Sequence, residues 1–234
     1  MIHLNQSDAQ YKRMMETPIP RLIASLSIPT VVSSLITVIY NTADTYFVSQ
    51  IDKSASAAVG AVFSIMSVIQ ALGFGLGVGA GSLISRKLGA KDNAAADKYA
   101  SSAFFASITV GSLIMLLGLL FLEPILRFLG CTDTMMPHAI PYARFILIAA
   151  PLNCATFVLN TTLRSEGLSL LSMVGITTGG ILNMILDPIL INGFDMGTGG
   201  AAIATMASQV ISFSILFSFF LFGKSIVKIN MKSI

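Results

Sequence analysis

Apolar residues run along this chain in six long blocks, roughly 22–49, 56–84, 99–122, 141–163, 169–192 and 199–222. Each is long enough for the ~20 residues a helix needs to cross a bilayer. Between them lie IDKSAS, SRKLGAKDNAAADK, EPILRFLGCTDTMMPH, RSEG and NGFDMGTGG, all rich in turn-forming or charged residues. The blocks are too continuously apolar for the alternating strands of a membrane barrel, so each is expected to be a helix that satisfies its own backbone. Residues 85–98 read as a loop leading into an amphipathic start of the third helix. The predicted fold is an all-α polytopic membrane protein of six spans.

Polar residues inside these blocks are few and patterned. Ser33, Thr37, Asn41 and Asp44 stand at i, i+4, i+8 and i+11, one face of the first helix, with Tyr40 one turn before Asp44. A carboxylate at helix mid-depth costs about 2.5–3.5 kcal/mol, so Asp44 is expected to face protein or trapped water. In the fifth block Asn183 and Asp187 are i, i+4 neighbours, and Pro188 disturbs the backbone ladder beside them. Asp44, Asp187 and, in the sixth block, Thr205 each lie about six residues from the same end of the bundle. That is a common depth of roughly 9 Å at the helical rise; Gln209 follows one turn deeper than Thr205. The fourth block carries Asn153, Thr156 and Asn160, then Arg164, at helical spacing, and Asn160 is a candidate for the cavity wall. Two carboxylates, an amide and a hydroxyl in one bundle make an oxygen-rich set suited to Na⁺ or H⁺, without the thiolates or imidazoles that favour zinc.

Composition agrees with the pattern. Of 234 residues 54% are hydrophobic and 11% charged, with mean hydropathy +0.82. A soluble domain carries about a quarter charged residues. The net charge of +3 does not point to nucleic acid, because its sources are distributed as orientation signals. Eleven of the 14 Lys and Arg fall before the first block, in the second and fourth loops, and in the tail; only Lys53, Arg127 and Arg144 fall on the other side. Both termini are therefore expected in the cytoplasm. Cys131 and Cys154 have no paired spacing and suggest neither disulfide nor metal.

Two other signals are weighed and set aside. GLGVGA matches a dinucleotide-binding pattern but lies inside a span; Gly73, Gly77 and Gly81 read better as a packing ridge. Two intramembrane aspartates suggest an aspartyl protease, but neither the Tyr-Asp nor the Gly-x-Gly-Asp signature is present. The chain is not expected to be an enzyme.

NTADTYFV in the first block, the glycine-rich second block running into SRKLGAKD, LRSEG after the fourth, and NMILDPILINGFDMGTGGAAIAT together resemble the multidrug and toxic compound extrusion (MATE) transporters. The likeness is strongest to the bacterial branch with acidic residues in the amino-terminal lobe. It implies one six-helix lobe of a twelve-helix protein that exports cationic, amphipathic compounds in exchange for Na⁺ or H⁺. The family's cation site maps onto Asp44, Asn183, Asp187 and Thr205, with Na⁺ on Asp44 and Asp187 if sodium is the coupling ion. Tyr40, Asn41, Asn160 and Gln209 are expected around the substrate cavity. No cofactor beyond the coupling ion is implied. The expected location is the bacterial inner membrane, with lipid, organic cations and a second lobe or a second copy as partners. The domain reading is residues 1–20 as a cytoplasmic segment, 21–223 as the lobe, and 224–234 as a tail or the start of an inter-lobe linker. Alternating access rocks one half against another, so a lone half is expected to be a truncation, a split half or a dimerising half. Two other readings stay open. One is a flippase for lipid-linked precursors, which should carry cations inside its cavity; the other is a non-transporting membrane subunit.

Overall fold

The computed structural model describes residues 11–14 and 16–230. Among the described residues, six helices are long and apolar enough to cross a membrane: α1 (Ile19–Ser49), α2 (Lys53–Gly89), α3 (Asn93–Leu120), α5 (Met136–Ser165), α6 (Ser169–Pro188, continued by a π-helical turn at Ile189–Gly193) and α7 (Gly197–Leu221). A short α4 (Leu122–Phe128) lies between α3 and α5. The chain is thus a multi-pass membrane protein.

Helix α5 is the hub. In its most apolar stretch 78% of residues are buried, against 11–39% in the other five spans. It packs against α2, α3 and α7, while α1 leans chiefly on α6. Because α5 meets protein and not lipid on nearly every side, it can carry Asn153, Thr156 and Asn160 in mid-span without exposing them to hydrocarbon. Close approach to α5 is made by glycine. A Cβ on Gly73 would lie 3.0 Å from Cys154 Cα, and one on Gly111 would lie 2.5 Å from Pro151 Cα. A Cβ on Gly77 or Gly81 would run into the side-chain hydroxyl of Thr161 or Ser165, so the 73–81 ridge is a helix-packing surface.

The 85–98 stretch departs from its reading as a loop. α2 continues through it to Gly89, and only Ala90–Asp92 connect it to α3. Lys91 turns the chain at φ +58°. Asp92 then caps α3, its Oδ1 accepting from Ala95 N at 3.1 Å, while its other oxygen takes Lys87 Nζ at 3.4 Å. The charges that suggested a loop instead finish one helix and start the next. At 37 residues α2 is roughly 55 Å long, so its charged end stands clear of the hydrocarbon.

Candidate cation and substrate site

Four helices supply the polar centre. On α6, Asn183 Nδ2 donates to Asp187 Oδ1 at 3.3 Å and to Thr205 Oγ1 of α7 at 3.2 Å. On α5, the Tyr142 hydroxyl donates to Asp44 Oδ2 of α1 at 3.1 Å. Asp187 lies within electrostatic range of Asp44, and Tyr142 within that of both acids and of Tyr40. Asp187 and Tyr142 are fully buried, and Asp44 is 9% exposed. Asp44 Oδ1, Asp187 Oδ2 and Asn183 Oδ1 are buried with no hydrogen-bonding partner among the described residues. Buried acceptors without donors are costly, and three on neighbouring side chains offer a concentrated set of oxygen ligands.

Beside this centre is a cavity of about 120 Å³. Asn183 and Thr205 line it, with Thr37, Tyr40, Gln70, Asn153, Thr156, Phe157, Ser208, Gln209 and Ser212 among the other walls. Neither aspartate lines it directly; Asn183, a wall of the cavity, bonds both Asp187 and Thr205. The volume suits an ion with a few waters, whereas sites for drug-sized ligands occupy about 300–1,000 Å³.

Several expected residues fall elsewhere. Asn160 is fully buried and is not among the cavity walls. Its amide donates to Ser172 O at 3.1 Å and Ser172 Oγ at 2.6 Å, and its oxygen accepts from Arg164 Nη2. Arg164 Nε also donates to Ser172 Oγ at 3.2 Å. Asn160 therefore ties α5 to α6 below the cavity, because Arg164 one turn on claims its free oxygen. Asn41 is partly exposed and also lies outside the cavity walls; the polar stripe of α1 splits after Thr37 and Tyr40. Tyr40, Gln209, Asn183 and Thr205 are among the residues around the cavity.

Tyr142, Gln70, Ser208 and Ser212 escaped sequence reasoning. A tyrosine near a span's end ordinarily belongs to the interfacial aromatic belt, and nothing around PYARF marks Tyr142 as buried. Pro188 was expected to open the ladder one turn back. The widened π turn instead follows it, at Ile189–Gly193, with Phe194 N donating to Ile189 O at 3.0 Å.

The MatE family model matches residues 29–189, more than half of the chain. The chain belongs to the MatE family. It is 30% identical over 226 residues to the multidrug export protein MepA of Staphylococcus aureus strain MRSA252, covering 96% of this chain and 50% of that protein. MepA of Staphylococcus saprophyticus is 31% identical over 206 residues, covering 88% and 46%. Among solved structures, the MATE complex with MaL6 superimposes with TM-score 0.90 at 32% identity, over 94% of this chain and 49% of that one. The outward-facing conformation of a multidrug resistance MATE family transporter of the MOP superfamily gives 0.87 at 33%, with the same shares. The fold is therefore that of half a MATE structure, and the chain spans about half the length of the relatives it matches. MatE proteins of this kind are transporters and not enzymes, which sets the protease reading aside.

Proposed function

We propose that this chain is the amino-terminal lobe of a cation-coupled exporter of cationic, amphipathic compounds, lying in a bacterial cell membrane with both termini cytoplasmic. The observation that carries the reading is the group of unpartnered oxygens on Asp44, Asn183 and Asp187, buried beside a small polar cavity. Na⁺ or H⁺ neutralises this group: sodium would be held by Asp44, Asp187 and the Asn183 oxygen, and a proton would sit on one of the two carboxyls. Either form relieves the repulsion between the acids and their burial cost together.

Neutralisation is coupled to helix position because the acids sit on different helices. Asp44 belongs to α1, the least buried span, and Tyr142 of the central α5 holds it. Asp187 is on α6 and is joined to α7 through Asn183 and Thr205. Charging the pair favours separation of α1 from α6, and neutralising it favours closure. The organic cation is recognised in a larger space than the 120 Å³ cavity, which a second lobe completes. A flippase for phosphate-bearing lipids is disfavoured because, among the described residues, the cavity walls carry no Lys or Arg.

The test is ethidium efflux from vesicles holding this chain with a complementary second lobe, under imposed Na⁺ and H⁺ gradients. Asp187→Asn is expected to abolish gradient-driven efflux while membrane insertion stays normal. Undiminished efflux in that variant overturns the coupling role, and an unchanged response in the Asp44→Asn, Asp187→Asn double variant favours a non-transporting subunit.

A further inference from the structure

A second concave surface lies between α2 and α5, separate from the polar cavity. Phe157 of the cavity wall meets Phe74 edge to face, with ring centres 6.4 Å apart, and Phe74 lines a groove of about 310 Å³. The groove follows α2 from Phe74 and Val78, both exposed, to Ser82 and Ser85. Thr161, Arg164 and Ser165, in the last turn of α5, form the opposite wall. One end is therefore apolar, and the other carries hydroxyls and a guanidinium.

Arg164 is half-buried and carries more donors than its neighbours use. Its Nε donates to Ser172 Oγ and its Nη2 to Asn160 Oδ1, which spends two of the five guanidinium N–H groups. No acid balances it: the ion pairs among the described residues are Lys12–Glu16, Lys87–Asp92 and Arg127–Asp133. Glu166, two residues on, is turned to the strap that follows α7, where it accepts from Ser225 Oγ and Ile226 N, both at 2.7 Å. Arg86 falls on the same face of α2 as Ser82, one turn further on, and has no acid partner among the described residues either. The hydroxyls of Ser85, Thr161 and Ser165 donate to carbonyls of their own helices, which leaves Ser82 as the groove hydroxyl that can donate outward. A half-buried cation without a counterion is costly. Its natural complement is an oxyanion that takes the planar guanidinium fork.

We propose that the α2–α5 groove seats one anionic phospholipid, its phosphate held by Arg164 and Ser82 with Arg86 at the rim, and an acyl chain lying along Val78 and Phe74. The level is that of a headgroup, since Arg164 is the last residue but one of α5 and α2 runs on past Ser85 to Gly89. Basic pockets between spans bind lipid headgroups in this way. The groove walls carry no Asp or Glu among the described residues, so the ammonium of a zwitterionic lipid finds no partner there and a net negative headgroup is preferred. Exposed Phe74 and Val78 give the same ligand an apolar track, which an inorganic anion would not use. Because Arg164 also holds Ser172 of α6, the seated lipid braces α2, α5 and α6 together.

Native mass spectrometry of the full chain in detergent, with dioleoylphosphatidylglycerol and dioleoylphosphatidylcholine in competition, tests the seat. One phosphatidylglycerol is expected to be retained about tenfold more strongly than phosphatidylcholine. Arg164→Gln should remove most of that preference, and Arg86→Gln part of it. Arg164→Gln also disturbs the bonds to Asn160 and Ser172, so Ser82→Asp is the second variant. It lies at an exposed position outside those bonds, places a carboxylate where the phosphate would sit, and should abolish the preference with the helical circular dichroism unchanged. Equal retention of the two lipids by the unmodified chain overturns the seat, as does a preference that survives both Arg164→Gln and Ser82→Asp. Displacement of the lipid by inorganic phosphate would give the groove to a soluble oxyanion, and displacement by a complementary MATE lobe would give it to the contact between lobes; either result overturns the proposal. Efflux is not read, so the outcome is independent of the export reading.

Discussion

Tyr142 anchors one half of the polar centre, since its hydroxyl reaches Asp44 from the helix on which the rest of the bundle packs. Tyr142→Phe removes that donor and keeps the ring. A buried bond of this kind is worth about 1–3 kcal/mol, so thermal unfolding in detergent should show a lower Tm. If Tyr142 also orients Asp44 for a cation, the ion concentration needed for half-maximal stabilisation should rise in the same variant. Unchanged Tm and unchanged ion response would mean that the hydroxyl does neither. Asn183, Asp187 and Thr205 were legible from i, i+4 spacing and from depth along each helix. Tyr142 was not, because its partner is 98 positions away and only the rotation of α5 against α1 brings them together. Asn160 was misplaced for the opposite reason: its spacing was right, but Arg164 and Ser172 turn its amide away from the cavity.

Among the elements, the packing of α2 and α3 on α5 depends on missing side chains. A Cβ on Gly111 meets backbone atoms of Ala150 and Pro151, which cannot step aside as a flexible side chain can. Gly111→Ala should therefore destabilise by about 1–3 kcal/mol. Gly75 and Gly79, on the same helix as the ridge, have nothing within 4 Å of an added Cβ. Alanine at either position should be neutral or stabilising by about 0.5–1 kcal/mol through helix propensity. Chemical denaturation of the three variants separates the cases; equal losses at Gly75 and Gly111 would mean that the close-approach argument fails. The spacing of Gly73, Gly77 and Gly81 announced a packing surface but not which helix it would meet.

For the whole molecule, the exposed apolar side chains of α1 (Ile19, Ile23, Ile28, Val31, Leu35 and Val38) and its 11% burial leave that helix leaning chiefly on one neighbour, α6. Such a helix is suited to moving and to meeting either lipid or another lobe. If this chain works as half of an exporter, it should show no gradient-driven ethidium efflux alone. Efflux should return when a complementary MATE lobe is supplied, and α1 amides should then gain exchange protection. Efflux by the chain alone as a monomer would contradict the two-lobe requirement.

By itself the sequence determined the membrane-spanning character, the six helices and the family, because hydrophobic length, helical period and local motifs are properties that survive without neighbours. The extents of α2 and α3 were less legible, since charged residues serve equally in a loop and at a helix end. The tertiary structure alone decided which groups touch: Tyr142 with Asp44, Arg164 with Asn160, Glu166 with the strap after α7. Those contacts depend on how far each helix is rotated and slid against the next. Rotation and slide are set by the sum of many small packing contacts, which no single stretch of chain contains.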